Sequence, residues 1–136
     1  AMPTTMIVKG SRRDELLKVE LTLAPGLGFI QDVIIDTHFT ERGRFGRLIQ
    51  ATAINPSCIG IGLGEDTGVI ISQNTLETIG SGLVIIIDGH DIKYSNMLNV
   101  RDGDPLSIEH INLHVLAEGD KFNLDKKEFV PLKENK

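Results

Sequence analysis

An apolar run, Val33-Ile34-Ile35, ends in an acid and a histidine, Asp36 and His38, and three arginines follow within the next nine residues, Arg42, Arg44 and Arg47. A histidine with a near-neutral pKa can take a proton from a nucleophile and hand it to a leaving group. It does so efficiently when a second group fixes its tautomer and stabilises the imidazolium. A carboxylate placed for that task follows the run Gly60-Ile61-Gly62-Leu63-Gly64: Glu65. Converging arginines suit carboxylate recognition through paired hydrogen bonds. On an ideal helix Arg44 and Arg47 share a side while Arg42 points roughly opposite. The plainer alternative is a solvated helix face, with one arginine paired to Glu41 or Asp36. Gly43 and Gly46 each disfavour helix by ~1 kcal/mol, which favours tight packing or a close substrate approach there.

The elements that must position these groups are legible from periodicity. Val33 to Ile35 reads as a buried strand delivering Asp36 and His38 to its end, as α/β folds build sites. Thr40 is an N-cap for the next helix, with Glu41 beside its positive end. Phe45, Leu48, Ile49 and Thr52 follow the i, i+3, i+4, i+7 pattern and form its buried stripe; Asn55-Pro56 stops it. Ile59 to Leu63 and Val69 to Ser72 read as two strands joined by a turn over Asp66-Thr67-Gly68. The glycines of the first allow close approach of other backbone. Leu83 to Ile87 is a continuous apolar run, a strand buried on both faces. From Ile108 to Leu116 a strand puts Ile111, Leu113 and Val115 on one face and His110, Asn112 and His114 on the other. A short helical tendency covers residues 11–19, and Pro25-Gly26-Leu27-Gly28 forms a turn or loop. The tail, residues 121–136, is charged and frays except at Phe122, Leu124 and Phe129. Strands and helices alternate and then give way to strands, as expected of a partial α/β domain over residues 1–120.

Composition narrows the classes. The 136 residues fit one domain or part of one, and 40% apolar content suffices for a core. A net charge of −5 argues against a general nucleic-acid binder, and 4% aromatics with no tryptophan argue against a base-stacking platform. The single Cys58 excludes an internal disulfide framework and a cysteine-based zinc cluster. No apolar run approaches the ~20 residues of a spanning helix. A soluble, cytoplasmic protein with no cofactor is the expectation.

These residues also carry a resemblance. Asp36-Thr37-His38-Phe39 with Arg42, Arg44 and Arg47, then Gly62-Leu63-Gly64-Glu65, is similar to the cyanophycinase pattern D-Q-H-F-x-x-R-x-R-x-x-R-L followed by G-x-G-E-x-T-A. The similarity covers about residues 2–116. It implies an α/β fold, part of a mixed-sheet three-layer sandwich of the class I glutamine amidotransferase kind, sandwiched by helices and often dimeric. It implies a serine-type peptidase that cleaves cyanophycin, an aspartate backbone with arginine on each β-carboxyl, into β-aspartyl-arginine dipeptides. By this resemblance His38 is the triad base and Glu65 its orienting acid. Asp36, Thr37, Arg42, Arg44 and Arg47 then line the substrate pocket, the arginines meeting carboxylates and the acid meeting a guanidinium.

Two positions depart from the pattern: Thr37 replaces the usual glutamine, and Gly68 replaces alanine. The first bears on strict cyanophycin specificity and leaves another β-aspartyl peptide open as substrate. The family's nucleophilic serine lies in a G-T-S-A-G-A elbow just before a helix resembling residues 1–7. The elbow is therefore expected immediately upstream of Ala1, with the N-terminal half of the domain as the missing partner, so that the chain alone is inactive. Ser81, in Gly80-Ser81-Gly82, lacks the G-x-S-x-G spacing. Other chemistries fit less well. Asp36-x-His38 and Asp88-Gly89-His90-Asp91 offer a carboxylate–imidazole set for a metal, but three arginines beside the first pair repel a cation. Gly60-x-Gly62-x-Gly64 lacks dinucleotide-fingerprint spacing. The non-enzymatic alternative is a binding or assembly module that keeps the pocket without a nucleophile.

Overall fold

A computed structural model describes residues 3–9, 22–25, 30–37 and 44–132, with side chains from residue 32 onward in the last two stretches except that of Arg44. Its elements, in chain order, are β1 (Pro3–Lys9), β2 (Thr22–Pro25), β3 (Ile30–Asp36), α1 (Arg44–Ile54), β4 (Ile59–Leu63), β5 (Thr67–Ser72), β6 (Thr75–Gly80) and β7 (Val84–Asp88). They continue as β8 (Tyr94–Ser95), β9 (Ile108–Glu109), β10 (Asn112–Leu116), β11 (Lys121–Asn123) and β12 (Glu128–Val130). The class is mixed α/β. A six-stranded mixed sheet runs β10-β7-β4-β3-β1-β2, and a four-stranded antiparallel sheet runs β12-β11-β6-β5. Within the large sheet β1, β3 and β4 are parallel neighbours, with Val33 opposite Ile59 and Asp36 opposite Gly62.

Strand alternation sorts the apolar residues into two cores. One face of the large sheet presents Val33, Ile59, Ile61, Val84, Ile86 and Leu116 to Leu76 and Phe122 of the small sheet. The other presents Ile34 and Ile87 to Leu48, Ile49 and Ala51 of α1. Among the described residues the layers are therefore helix, sheet and sheet, the last made of β5, β6, β11 and β12. Gly60 lets α1 lie directly on β4. A Cβ there would stand 2.6 Å from Thr52 Oγ1 and 3.1 Å from a Leu48 methyl. Because those groups belong to a packed helix, Gly60→Ala is expected to cost about 1–3 kcal/mol by overpacking. A denaturant titration reads this directly, and an unchanged midpoint would show that α1 can lift off β4 freely.

Several expectations are corrected. Of residues 1–7, expected as helix, residues 3–7 instead belong to the strand β1 (Pro3–Lys9); Thr4, Thr5, Ile7 and Val8 are β-branched and stiff at χ1. The buried stripe of α1 contains Leu48, Ile49 and Thr52, but Phe45 sits in the first turn and is 46% exposed. The strands on either side of the Glu65 turn do not pair with each other: β4 lies in the large sheet and β5 pairs β6 in the small one. The single strand expected from Ile108 to Leu116 breaks at His110, whose φ is 70°, so β9 pairs β8 while β10 pairs β7. The tail does not fray before residue 130. Phe122 is fully buried, and β11 pairs both β6 and β12. The run Leu83 to Ile87, expected as a strand buried on both faces, begins one residue later: Leu83 is 48% exposed and precedes the inner strand β7, within which only Ile85 is less than fully buried. The helical tendency at 11–19, the turn or loop expected at 25–28 beyond Pro25, which ends β2, and the cap at Thr40 lie outside the described residues. Among the described residues no helix is long and apolar enough to cross a membrane.

Candidate active site

The carboxyl ends of β3 and β4 meet because the two strands are parallel and in register, and a residue leaving each strand emerges at the same rim. Thr37 leaves β3 and Glu65 follows Leu63-Gly64 at the end of β4, both exposed. Together with Leu63, Gly64, Asp66 and Thr67 they line a cleft of about 300 Å³. This is where open α/β sheets carry their sites.

Asp36 is one residue earlier and so points to the opposite face, toward α1. There its carboxylate receives Arg47 Nε at 2.8 Å and Arg47 Nη2 at 2.5 Å, a two-pronged pair. Asp36 is 1% and Arg47 7% exposed. The planar guanidinium matches the carboxylate geometry, and each charge offsets the desolvation of the other. Of the partners considered for the arginines, Asp36 is thus the one Arg47 takes, and this holds the end of β3 against the helix. Strand parity therefore separates the expected site residues into two sets. Thr37 and Glu65 share the cleft, whereas Asp36 and Arg47 share a buried contact on the helix side. His38 and Arg42 lie outside the described residues; Arg44 opens α1, and its side chain is likewise outside them.

The turn that carries Glu65 is held from several directions. Gly64 N–H donates to Leu83 O at 3.1 Å, Ser81 N–H donates to Asp66 O at 3.1 Å, and Thr67 Oγ1 donates to Glu65 O at 2.8 Å. Sequence reasoning dismissed Gly80-Ser81-Gly82 as a nucleophile elbow and missed its packing against this turn. The two glycines flanking a serine were the available signal.

Other chemistry-bearing residues are placed elsewhere. Asp88, 1% exposed, accepts His90 N–H at 3.0 Å and faces His90 Nδ1 at 2.6 Å. That pair follows β7, and Asp88 lies opposite Ile59, at the end of β4 remote from Glu65. The pair closes a turn after a buried strand. His114 packs its ring against Phe122, centroids 4.9 Å apart, and against Phe129. Cys58 also precedes β4, far from the cleft. Burial, with Asp32's negative charge adding to it, pushes its thiol pKa up from the ordinary value. Disfavouring the thiolate makes Cys58 a poor nucleophile.

No family model matches the chain. Curated proteins do. The chain is 39% identical over 120 residues to the cyanophycinase of Synechococcus elongatus, covering 88% of this chain and 37% of that protein. It is 39% identical over 119 residues to the cyanophycinase of Geminocystis herdmanii, covering 87% and 44%. It is 36% identical over 127 residues to that of Trichormus variabilis, covering 93% and 43%. The chain spans about two-fifths of the length of the curated relatives it matches.

Proposed function

Taking similarity to cyanophycinases along almost the whole chain as the premise, we propose that this polypeptide carries the base and substrate pocket of a serine-type hydrolase. The enzyme cleaves cyanophycin to β-aspartyl-arginine dipeptides. The observation that carries the reading is the meeting of Thr37 and Glu65 at adjacent parallel strand ends in one cleft. His38, covalently next to Thr37, is the general base. It takes the proton from a serine hydroxyl as Oγ attacks the peptide carbonyl, and returns it to the departing amine. Glu65 holds the imidazole in the productive tautomer and stabilises the imidazolium. The serine comes from a segment upstream of this chain.

Arg42 and Arg44 stand in this reading as the groups that meet substrate carboxylates, and Thr37 as a wall of the pocket. Asp36 and Arg47 act beneath it. Because their charges face each other on the helix side, they fix β3 on α1 and set where Thr37 emerges. The test is digestion of cyanophycin by the complete polypeptide, upstream segment included, with products identified by mass spectrometry. Release of β-aspartyl-arginine is expected. A folded protein that releases nothing from cyanophycin overturns the assignment of this substrate. Release from another β-aspartyl peptide would then retain the chemistry, and binding without cleavage would identify a module lacking the nucleophile.

A further inference from the structure

Two connections cross between the sheets at one point. Leu63 is opposite Val84 at the end of the β4–β7 pairing, and Thr67 is opposite Gly80 at the end of the β5–β6 pairing. The link Gly64-Glu65-Asp66 and the link Ser81-Gly82-Leu83 therefore run side by side. Backbone hydrogen bonds tie them at both ends, from Gly64 to Leu83 and from Ser81 to Asp66. Side-chain space between them is absent. A Cβ on Gly82 would stand 2.6 Å from Glu65 O and closer still to Thr67 Oγ1, the hydroxyl that bonds Glu65 O. A Cβ on Gly80, at φ +95°, would fall onto the Asp66 carbonyl. Asp66 itself is held at φ 54°. The local direction of the chain at Glu65 is thus set by its neighbour, not by Glu65's own turn alone.

We propose that Gly82, with the Thr67 hydroxyl, is a positioning residue that aims the Glu65 carboxylate at the base. This rests on the reading of Glu65 as the acid that orients His38. Gly82 is the informative position, because its backbone is one that alanine adopts and only the contact changes. A methyl there pushes on the Glu65 carbonyl and displaces the turn. A displacement of the order of 1 Å costs roughly 10- to 100-fold in rate when geometry must be exact to a bond's reach. A carboxylate beside an imidazolium favours the charged form and raises its pKa, so moving the carboxylate away lowers that pKa.

The experiment is steady-state cleavage of cyanophycin by the complete polypeptide across pH, comparing Gly82→Ala, Glu65→Ala and the unaltered protein. Gly82→Ala is expected to lower kcat roughly 10- to 100-fold with KM nearly unchanged. The acidic limb of kcat/KM moves to lower pH by roughly half a unit or more. A fall in kcat with an unmoved limb reports loss of folded enzyme only and overturns the positioning role. Unaltered kcat in Gly82→Ala beside an inactive Glu65→Ala overturns it too, and leaves the triad reading standing. Full activity in Glu65→Ala removes both. Should Gly82→Ala not fold, Thr67→Ala and Thr67→Ser decide. The first is expected to reproduce the rate loss and shifted limb, and the second, which keeps the hydroxyl, to restore both. Thr67→Ala matching the unaltered protein overturns the proposal.

Discussion

On the proposed triad reading, His38→Ala in the complete polypeptide is expected to lower turnover of cyanophycin by about 10⁶-fold while leaving the protein folded. The magnitude follows from the division of labour in a triad. Without a base the serine hydroxyl must lose its proton to water, and the leaving amine must find a proton elsewhere. What remains is the rate that binding and carbonyl polarisation alone provide. On the same reading, Glu65→Gln keeps the base and removes only the charge that stabilises its protonated form, so its loss is expected to be the smaller of the two. The fold is expected to be spared because, among the described residues, the buried core contacts of β3 are made by Val33 and Ile34 within the strand. Turnover by His38→Ala within tenfold of the unaltered enzyme would remove His38 as the base. The cleft of Thr37 and Glu65 would then need another proton acceptor.

The parts of this architecture that were legible in the sequence are those where one periodicity dominates. β3 and β4 show themselves as strands because each is a short apolar run ending in a carboxylate, at Asp36 and after Leu63 at Glu65, but their parallel pairing does not. The inner strand β7 shows itself as Val84 to Ile87 without interruption. The strand β6 did not. Its buried positions are Leu76 and Thr78, whereas Ile79 is 41% exposed. The apolar residues of Thr75–Gly80 therefore fall on both parities, and a polar side chain occupies the core. The turn joining it to β5 was equally silent. Gln73 and Asn74 both take positive φ, 51° and 63°, a two-residue hairpin written without the glycine that usually marks one. β10 misleads in the other direction. Its apolar Leu113 and Val115 are nearly half exposed, and it is His114, on the polar face, that packs against Phe122.

At the site the limit was parity at a strand end. Asp36, Thr37, Arg44 and Arg47 lie close along the chain, and the resemblance groups them into one pocket. The pleat assigns neighbouring residues to opposite faces, so Asp36 turns to α1 and Thr37 to the cleft. Register could not be read from the sequence, because it depends on which residue of β4 stands opposite Asp36. That residue is Gly62, and its identity also explains the arrangement: a glycine there leaves the helix-side face of β4 without a side chain next to the buried pair.

The buried pair yields the second large effect. Arg47→Met is expected to destabilise the fold by about 3–5 kcal/mol, since it leaves a carboxylate that is 1% exposed without the guanidinium that offsets its desolvation. Methionine approximates the aliphatic length of arginine, so the loss reports charge and hydrogen bonding more than a cavity. Asp36→Asn is expected to cost less, because it removes one of two opposed charges while the neutral amide can still accept from Arg47. Replacing both residues at once, Asp36→Asn with Arg47→Met, is expected to be more stable than Arg47→Met alone, because no uncompensated charge remains at the contact. Denaturant titration of the four proteins gives the coupling. A coupling near zero, with Arg47→Met costing less than about 1 kcal/mol as an exposed pair would, would mean that the guanidinium is free of Asp36 in solution. Arg47 would then be available to substrate, and the arginine cluster would have to be read as a single carboxylate-binding surface. A strong coupling keeps Arg47 beneath the pocket, as proposed, with substrate carboxylates assigned on that reading to Arg42 and Arg44.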